Sequence, residues 1–360
     1  MKIYSKETLG WNTFFEEQKN QSEHGIFTAA RVSAENKNNY LLLVPGLGEI
    51  TAECTGKLMF SVDNGTELPK TGDWVSVQLF PDELKGVIHT VYKRQTSLGR
   101  KVAGKRTEEQ IIATNIDIVF LVQGLDNNFN INRLFRTVVM VQEASIQPVI
   151  VLNKADIAND ADAKLKLVQE QLKEVPVIML SALQKTGIEQ LKSYIKEGES
   201  IVFMGSSGAG KSTLINALSE TNMALTGAVR SQDDRGKHTT TRREMFLLPE
   251  GGILIDTPGM REFQLYSASQ GLESTFADIT ELADSCRYRD CTHTVEKGCA
   301  VLDALEEGDI SEAQYDNFLK LQREDAYMKT RTDQKAFLEK KAKDKQLHKM
   351  IKNMNKKRKY

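Results

Sequence analysis

From Thr28 to Tyr92 the apolar positions fall into short β-rich runs divided by turn signals: TAARVS, YLLLVPG, GEITAECTGKLMF, DWVSVQLF and GVIHTVY. Strands of this length and spacing predict a small barrel. The pattern changes after Ile111. Longer apolar runs, IDIVFLVQG, QPVIVLN, VPVIMLSA, SIVFMGS and GGILIDTPG, then alternate with helical stretches. That alternation predicts βαβ units and a largely parallel sheet covered on both faces. After Gly259 the strands stop and helical segments bracket a Cys/His cluster. The pattern divides the chain into a barrel with a basic linker (1–105), an α/β domain (106–265) and a helical segment (266–360). The linker is KRQTSLGRKVAGKR, with Lys93, Arg94, Arg100, Lys101, Lys105 and Arg106.

Composition adds one feature that the net charge of -1 conceals. The last thirty residues hold 12 Lys/Arg and 3 Asp/Glu, out of 48 and 49 in the whole chain, so 36 basic and 46 acidic residues remain upstream. A mildly acidic body therefore carries a basic tail. The opening MKIYSKETLGWNTFFEEQ is polar, and no run approaches the length of a membrane span, so a cytoplasmic protein without membrane contact is expected.

The most specific segment is IVFMGSSGAGKSTLINAL. A buried strand enters Gly205, Ser206, Ser207, Gly208, Ala209, Gly210, Lys211 and Ser212, and an amphipathic helix follows, as a phosphate-binding P-loop requires. The glycines let backbone N–H groups turn toward phosphate oxygens. Lys211 bridges the outer phosphates, Ser212 can ligate Mg²⁺, and Thr213 continues the same helical turn. The base is chosen elsewhere. Asn153, Lys154 and Asp156 form an Asn-Lys-x-Asp turn after the strand QPVIVL. The Asp carboxylate can accept both the ring N–H and the exocyclic amine of guanine, a donor pair adenine lacks. Ser181 and Ala182 follow the next strand and resemble a loop that supports the base. Asp256 and Gly259 close the last strand, where they suit water-mediated Mg²⁺ binding and γ-phosphate sensing.

Between the P-loop and Asp256 lies TGAVRSQDDRGKHTTTRRE, polar and without hydrophobic period, at the position of a first switch loop. One of Thr239, Thr240 and Thr241 is expected on Mg²⁺, with Thr240 favoured. Met260 stands where small GTPases place a water-orienting Gln, so intrinsic hydrolysis is expected to be slow. His238 is the intramolecular candidate for orienting water; contact with phosphate or RNA is its other reading. Cys286, Cys291, His293 and Cys299, spaced Cys-x4-Cys-x-His-x5-Cys, match one tetrahedral structural Zn²⁺ with no open position. The segment carries so little apolar residue that metal is expected to be needed for it to fold. Cys54 is expected in the barrel core. Tyr40, Phe60, Trp74 and Phe80 are expected mainly as core, with RNA stacking as the second reading. The basic linker and tail are the better RNA candidates, through counterion release.

The order of these motifs, with the base-reading turn before the P-loop, resembles the circularly permuted GTPases. The layout of GDWV (Gly72 to Val75), NKAD, P-loop, RGKHTTT, DTPG and the Cys/His cluster resembles the ribosome small subunit-dependent GTPase A (RsgA/YjeQ) family over nearly the whole chain. The resemblance implies an OB-fold, a circularly permuted P-loop GTPase domain and a C-terminal helical zinc-binding domain in a multidomain α/β chain. It implies GTP/GDP and Mg²⁺ as cofactors, a GTP phosphohydrolase activity, and action on the small ribosomal subunit and its rRNA during late maturation. A monomer is expected, with DTPG leading straight into the zinc domain as its mechanical output. Three alternatives stay open: an RNA-binding protein holding GTP only as a structural cofactor, a permuted GTPase of the large subunit, and a P-loop kinase.

Overall fold

The computed structural model describes residues 2–21, 26–36, 39–60, 67–101, 109–219, 244–256 and 269–332. Lys105, Arg106, His238, Thr239 to Thr241, Gly259, Met260 and the basic tail beyond residue 332 lie outside the described residues. The chain forms two compact units, one of Met1–Val102 with Glu108–Phe263 and the other of Ala103–Thr107 with Gln264–Tyr360.

In the first unit, helix α1 (Thr13–Gln21) precedes β1 (Thr28–Glu35), β2 (Tyr40–Val44) and β3 (Gly48–Cys54). After a short helix α2 (Gly56–Phe60) come β4 (Trp74–Phe80) and β5 (Lys85–Val91). The strands neighbour one another in the order β1-β2-β3-β5-β4, and β4 pairs back onto β1, so the sheet closes. The single parallel step is β3 to β5; every other pairing in the ring is antiparallel. This is the five-stranded Greek-key ring of an OB-fold. Ala30, Val32, Leu42, Ile50, Val77 and Ile88 fill its interior. The third run was expected to continue as strand through TGKLMF. Instead it stops at Cys54, because the Thr55 hydroxyl oxygen accepts the Leu58 N–H at 3.2 Å and starts a helical turn. The turn leaves Phe60 93% exposed.

Of the other barrel aromatics, Trp74 is fully buried, with its ring 4.8 Å from that of Trp11. Tyr40 and Cys54 are half-buried against the barrel core, and Phe80 is exposed. The GDWV turn has a local cause. Gly72 has φ +98°, and a Cβ there would stand 2.2 Å from the Thr114 carbonyl oxygen. Asp73 holds the Arg94 guanidinium bidentately, at 2.8 and 2.7 Å. Arg94, one of the charges of the basic linker, is therefore engaged in the fold. The linker itself is partly strand: β6 (Ser97–Lys101) pairs antiparallel with β7 (Glu109–Thr114). Its apolar signal is a lone Leu98, which explains why alternation did not announce it.

The α/β part then runs β8 (Ile118–Gly124), α3 (Ile131–Glu143), β9 (Gln147–Asn153), α4 (Ala161–Gln171), β10 (Val177–Met179) and α5 (Ile188–Lys192). It continues with β11 (Ser200–Met204), α6 (Lys211–Ser219), β12 (Glu244–Leu247) and β13 (Ile253–Asp256). The order across the sheet is β10-β9-β8-β11-β13-β12, all parallel except β12. All five expected runs are strands. Strand β12, a four-residue antiparallel return before β13 that also pairs with β1 of the barrel (Ala34 with Glu244), was not singled out from the sequence. Phe120 and Phe203 stack at 5.1 Å, and Leu214 of α6 is buried in the same apolar cluster.

Barrel and α/β part meet within the first unit through Arg31, which is 1% exposed. Its guanidinium donates to the carbonyls of Leu9, Gly72 and Asn115 and to the Ser200 hydroxyl. Burial pushes its pKa down to about 10, with Asp117 and Asp73 pulling the other way, so it stays cationic at neutral pH. A cavity of about 290 Å³ lies beside it, lined by Glu7, Trp11, Asp117 and Glu199 among others.

The second unit holds α7 (Ser269–Thr275), α8 (Ala277–Asp284), α9 (Ala300–Glu307) and α10 (Glu312–Thr332). Phe276 and Phe318 meet edge to face at 5.5 Å in its small core. No helix among the described residues is long and apolar enough to cross a membrane.

Candidate functional site

The chain runs outward from β8 to β9 and β10, then returns to place β11 on the other side of β8. Open parallel sheets bind ligands at such a reversal, outside the carboxyl ends of the strands. Two loops leave the sheet at this crevice: residues 205–210 after β11 and residues 125–130 after β8.

The P-loop glycines are required by position. Gly205, Gly208 and Gly210 have φ of +154°, +78° and +95°. A Cβ on Gly205 would stand 2.1 Å from the Val122 carbonyl, and one on Gly210 would stand 2.1 Å from Asn153 Nδ2. Ala209 is buried. Lys211 opens α6 and folds back over the loop, its Nζ donating to the Gly205 and Ser206 carbonyls at 2.7 and 2.8 Å. Ser212 and Thr213 lie in the first turn of the same helix. A phosphate chain in this loop meets backbone N–H groups, a helix N-terminus and one ammonium.

The three sequence-distant motifs converge on one amide. Asn153 is 2% exposed; its Nδ2 donates to the Ala209 carbonyl at 2.9 Å, and its Oδ1 accepts the Ala182 N–H at 3.0 Å. Asn153, expected among the cofactor contacts, braces the P-loop against the Ser181–Ala182 loop. Ser181 is buried and its hydroxyl accepts the Gln184 N–H at 3.1 Å, which shapes that loop. Lys154 adopts φ +69° and places its ammonium 2.6 Å from Asp126 Oδ2. That ammonium, first among several hydrogen-bond donors, holds the Asp126 carboxyl below its ordinary pKa. Asp156 sits half-buried in a tight turn, Ala155–Ile157, and no protein donor among the described residues claims its carboxylate. Asp256 ends β13, half-buried.

The sequence reading missed Asp126, Asn128 and Arg133. Asn128 donates to the Ser206 hydroxyl at 2.9 Å, and Arg133 donates to Asn128 Oδ1 at 3.1 Å. The available signal was the polar run DNNFN directly after a buried strand.

In the second unit the Sγ atoms of Cys286, Cys291 and Cys299 and a ring nitrogen of His293 all lie within 4.8 Å of one another. A tetrahedral zinc with Zn–S near 2.3 Å separates its sulfurs by about 3.8 Å. Cys286 and Cys299 are 3.8 Å apart, and His293 Nδ1 is 3.6 and 3.5 Å from them. The donor set fits one structural zinc ion, with Nδ1 as the nitrogen ligand. Burial pushes the His293 pKa down, against the pull of Glu296, and so favours a neutral ring. Desolvation and the neighbouring thiols push the Cys291 thiol up to about 11, although its hydrogen bond with the His293 backbone pulls the other way. The ligand loop is held by the Glu296 carboxylate, which accepts from the backbone of Thr292, Thr294 and Val295, and by the Tyr315 hydroxyl, which donates to the His293 carbonyl at 2.6 Å.

The helices around this segment have an apolar core of their own, with Phe276, Ile279, Val301 and Phe318 buried, whereas within residues 286–299 the buried residues are the ligands His293 and Cys299. Zinc removal by a strong chelator is accordingly expected to melt residues 286–299 and leave part of the helical signal. Hydrogen exchange over that loop checks this; unchanged protection after the zinc is released would contradict it.

A family model described as RsgA GTPase matches residues 91–266. An ABC transporter model also matches, over residues 188–358. That second span shares the P-loop but lacks the Asn153–Asp156 turn to which the P-loop is braced. The curated relatives include the Small ribosomal subunit biogenesis GTPase RsgA of Opitutus terrae, 41% identical over 335 residues, which cover 91% of each chain. RsgA 1 of Oceanobacillus iheyensis is 41% identical over 319 residues, 88% of this chain and 91% of its own. Among solved structures, YjeQ from Thermotoga maritima superposes with TM-score 0.63 at 26% identity, covering 83% of this chain and 98% of that one. YloQ, a circularly permuted GTPase, has the same fold, with TM-score 0.61 at 22% identity. Relatives at 41% identity thus align with this chain along about nine-tenths of its length and of theirs, and the chain belongs to the RsgA GTPase family.

Proposed function

We propose that this GTPase acts in maturation of the small ribosomal subunit, binding the particle in one nucleotide state and leaving after hydrolysis. One observation carries the reading: a P-loop braced to the Asn-Lys-x-Asp turn, in a chain alignable over nine-tenths of its length with small ribosomal subunit biogenesis GTPases. GTP binds with its base at Asp156, its phosphates on residues 205–213 and its Mg²⁺ on Ser212, with Asp256 and Thr240 completing the metal shell and Gly259 sensing the γ-phosphate. Lys211 neutralises charge developing on the outer phosphates. Zinc is held by Cys286, Cys291, His293 and Cys299. The protein works as a cytoplasmic monomer, and its barrel, its basic linker and its basic tail contact rRNA.

GTP turnover measured with and without purified small subunits tests the reading. Strong stimulation by small subunits is expected; none, or stimulation by large subunits alone, would overturn it. His238→Ala is expected to lower the stimulated rate by about 10²- to 10⁴-fold while GTP affinity stays nearly constant. A matching loss of affinity would remove His238 from the catalytic step.

A further inference from the structure

Residues 125–130 form a loop with ties to both halves of the nucleotide site. On one side, Asp126 holds Lys154, the Leu125 N–H donates to the Asn153 carbonyl at 2.9 Å, and Lys164 donates to the Leu125 carbonyl at 2.7 Å. On the other, Asn128 Nδ2 reaches the Ser206 hydroxyl at 2.9 Å and the Ser207 carbonyl at 3.4 Å. The loop is itself fixed. The Asn128 carbonyl accepts from Gln123 at 2.6 Å and from Arg133 at 3.3 Å, Arg133 also holds the Asn128 amide oxygen, and the Asn128 N–H donates to Asp126 Oδ1 at 3.1 Å.

The Lys211 ammonium, which must meet the outer phosphates, rests on the Gly205 and Ser206 carbonyls. Asn128 therefore grips the P-loop at its outer-phosphate end, whereas Asp126 acts at the base end.

We propose that Asn128, oriented by Arg133, is a positioning residue that holds Ser206 and Ser207 in the shape a triphosphate needs, and that Asp126 positions Lys154 for the base. Through these ties one short loop sets the preference for GTP over GDP separately from the affinity for guanine. The inference rests on GTP occupying the site as described above.

The two ends give different signatures. Fluorescent GDP and a fluorescent non-hydrolysable GTP analogue are titrated into the full-length wild type, Asn128→Ala and Asp126→Asn. Asn128→Ala is expected to weaken the analogue about tenfold while GDP affinity changes less than twofold, the size of one or two lost hydrogen bonds. Asp126→Asn is expected to weaken both nucleotides by the same factor. In a Ser206→Ala background, Asn128→Ala should have a smaller effect than in the wild type. An unchanged analogue-to-GDP ratio in Asn128→Ala, or an equal loss of both nucleotides with a lowered melting temperature, would overturn the proposal. Failure of the wild type to bind either nucleotide would instead overturn the assignment of the site itself.

Discussion

Replacing Arg31 by methionine is expected to destabilise the first unit by about 3–5 kcal/mol. The side chain donates to four acceptors drawn from the N-terminal segment, the barrel turn, the turn between β7 and β8, and the start of β11. Gly72 keeps a second donor, the Asn115 amide at 3.0 Å, but the Leu9 and Asn115 carbonyls would be left without this partner. Methionine can fill most of the volume, so the loss measures polar satisfaction more than packing. Water from the adjacent cavity would soften the effect toward the lower figure. Ser200→Ala, which removes a single bond, should cost about 1 kcal/mol. Urea unfolding followed by Trp11 and Trp74 fluorescence reads both variants. A loss below about 1 kcal/mol for Arg31→Met would mean that the guanidinium contributes little net stability. Below the unfolding transition nucleotide binding should persist, because Ser200 starts β11 and the P-loop leaves its far end.

Asp156→Asn should invert the choice of base. Two charge-assisted hydrogen bonds of roughly 1.5–3 kcal/mol each are at stake, so GTP affinity is expected to fall about a hundred- to ten-thousandfold. Xanthine carries a carbonyl where guanine carries its exocyclic amine, and the new amide can donate to it. Affinity for xanthosine triphosphate should rise correspondingly. Competition titration with the two nucleotides, at unchanged melting temperature, decides the matter. If the variant still prefers GTP, Asp156 does not read the base.

The P-loop and the Cys/His cluster were legible because each is encoded within a few residues and has a steric reason to be so. Gly205 and Gly210 face atoms that leave no room for a Cβ, and the Cys/His spacing sets the ligand loop between α8 and α9. What stayed hidden is what depends on distant partners. Arg31 occupies TAARVS where alternation invites a solvent-facing charge, yet both faces of β1 are covered there, one by the barrel interior and the other by the α/β part. Asn128 looks like one more turn asparagine until Ser206, 78 residues later, is folded against it. Strand β6 has a single apolar residue and β12, EMFL, is too short to show a period, and the helical turn at Gly56 needed the cap from Thr55 to betray it. The misses share a direction: local motifs stood out in the sequence, whereas the side chains that hold those motifs in place depend on partners far along the chain.

The position of β8 at the centre of the parallel sheet bears on how the protein is made. The strand is buried along its whole length, and its second neighbour, β11, pairs Ile201 with Ile118 across 83 residues of chain. During synthesis, β8, β9 and β10 can assemble first, with an apolar strand edge bare until the P-loop strand leaves the exit tunnel. Bare edges of this kind invite pairing with other chains. Reordering the motifs therefore also fixes a vulnerable interval in the life of the nascent polypeptide: the base-reading half exists before the phosphate-reading half, and only the arrival of residues 200–204 closes the seam.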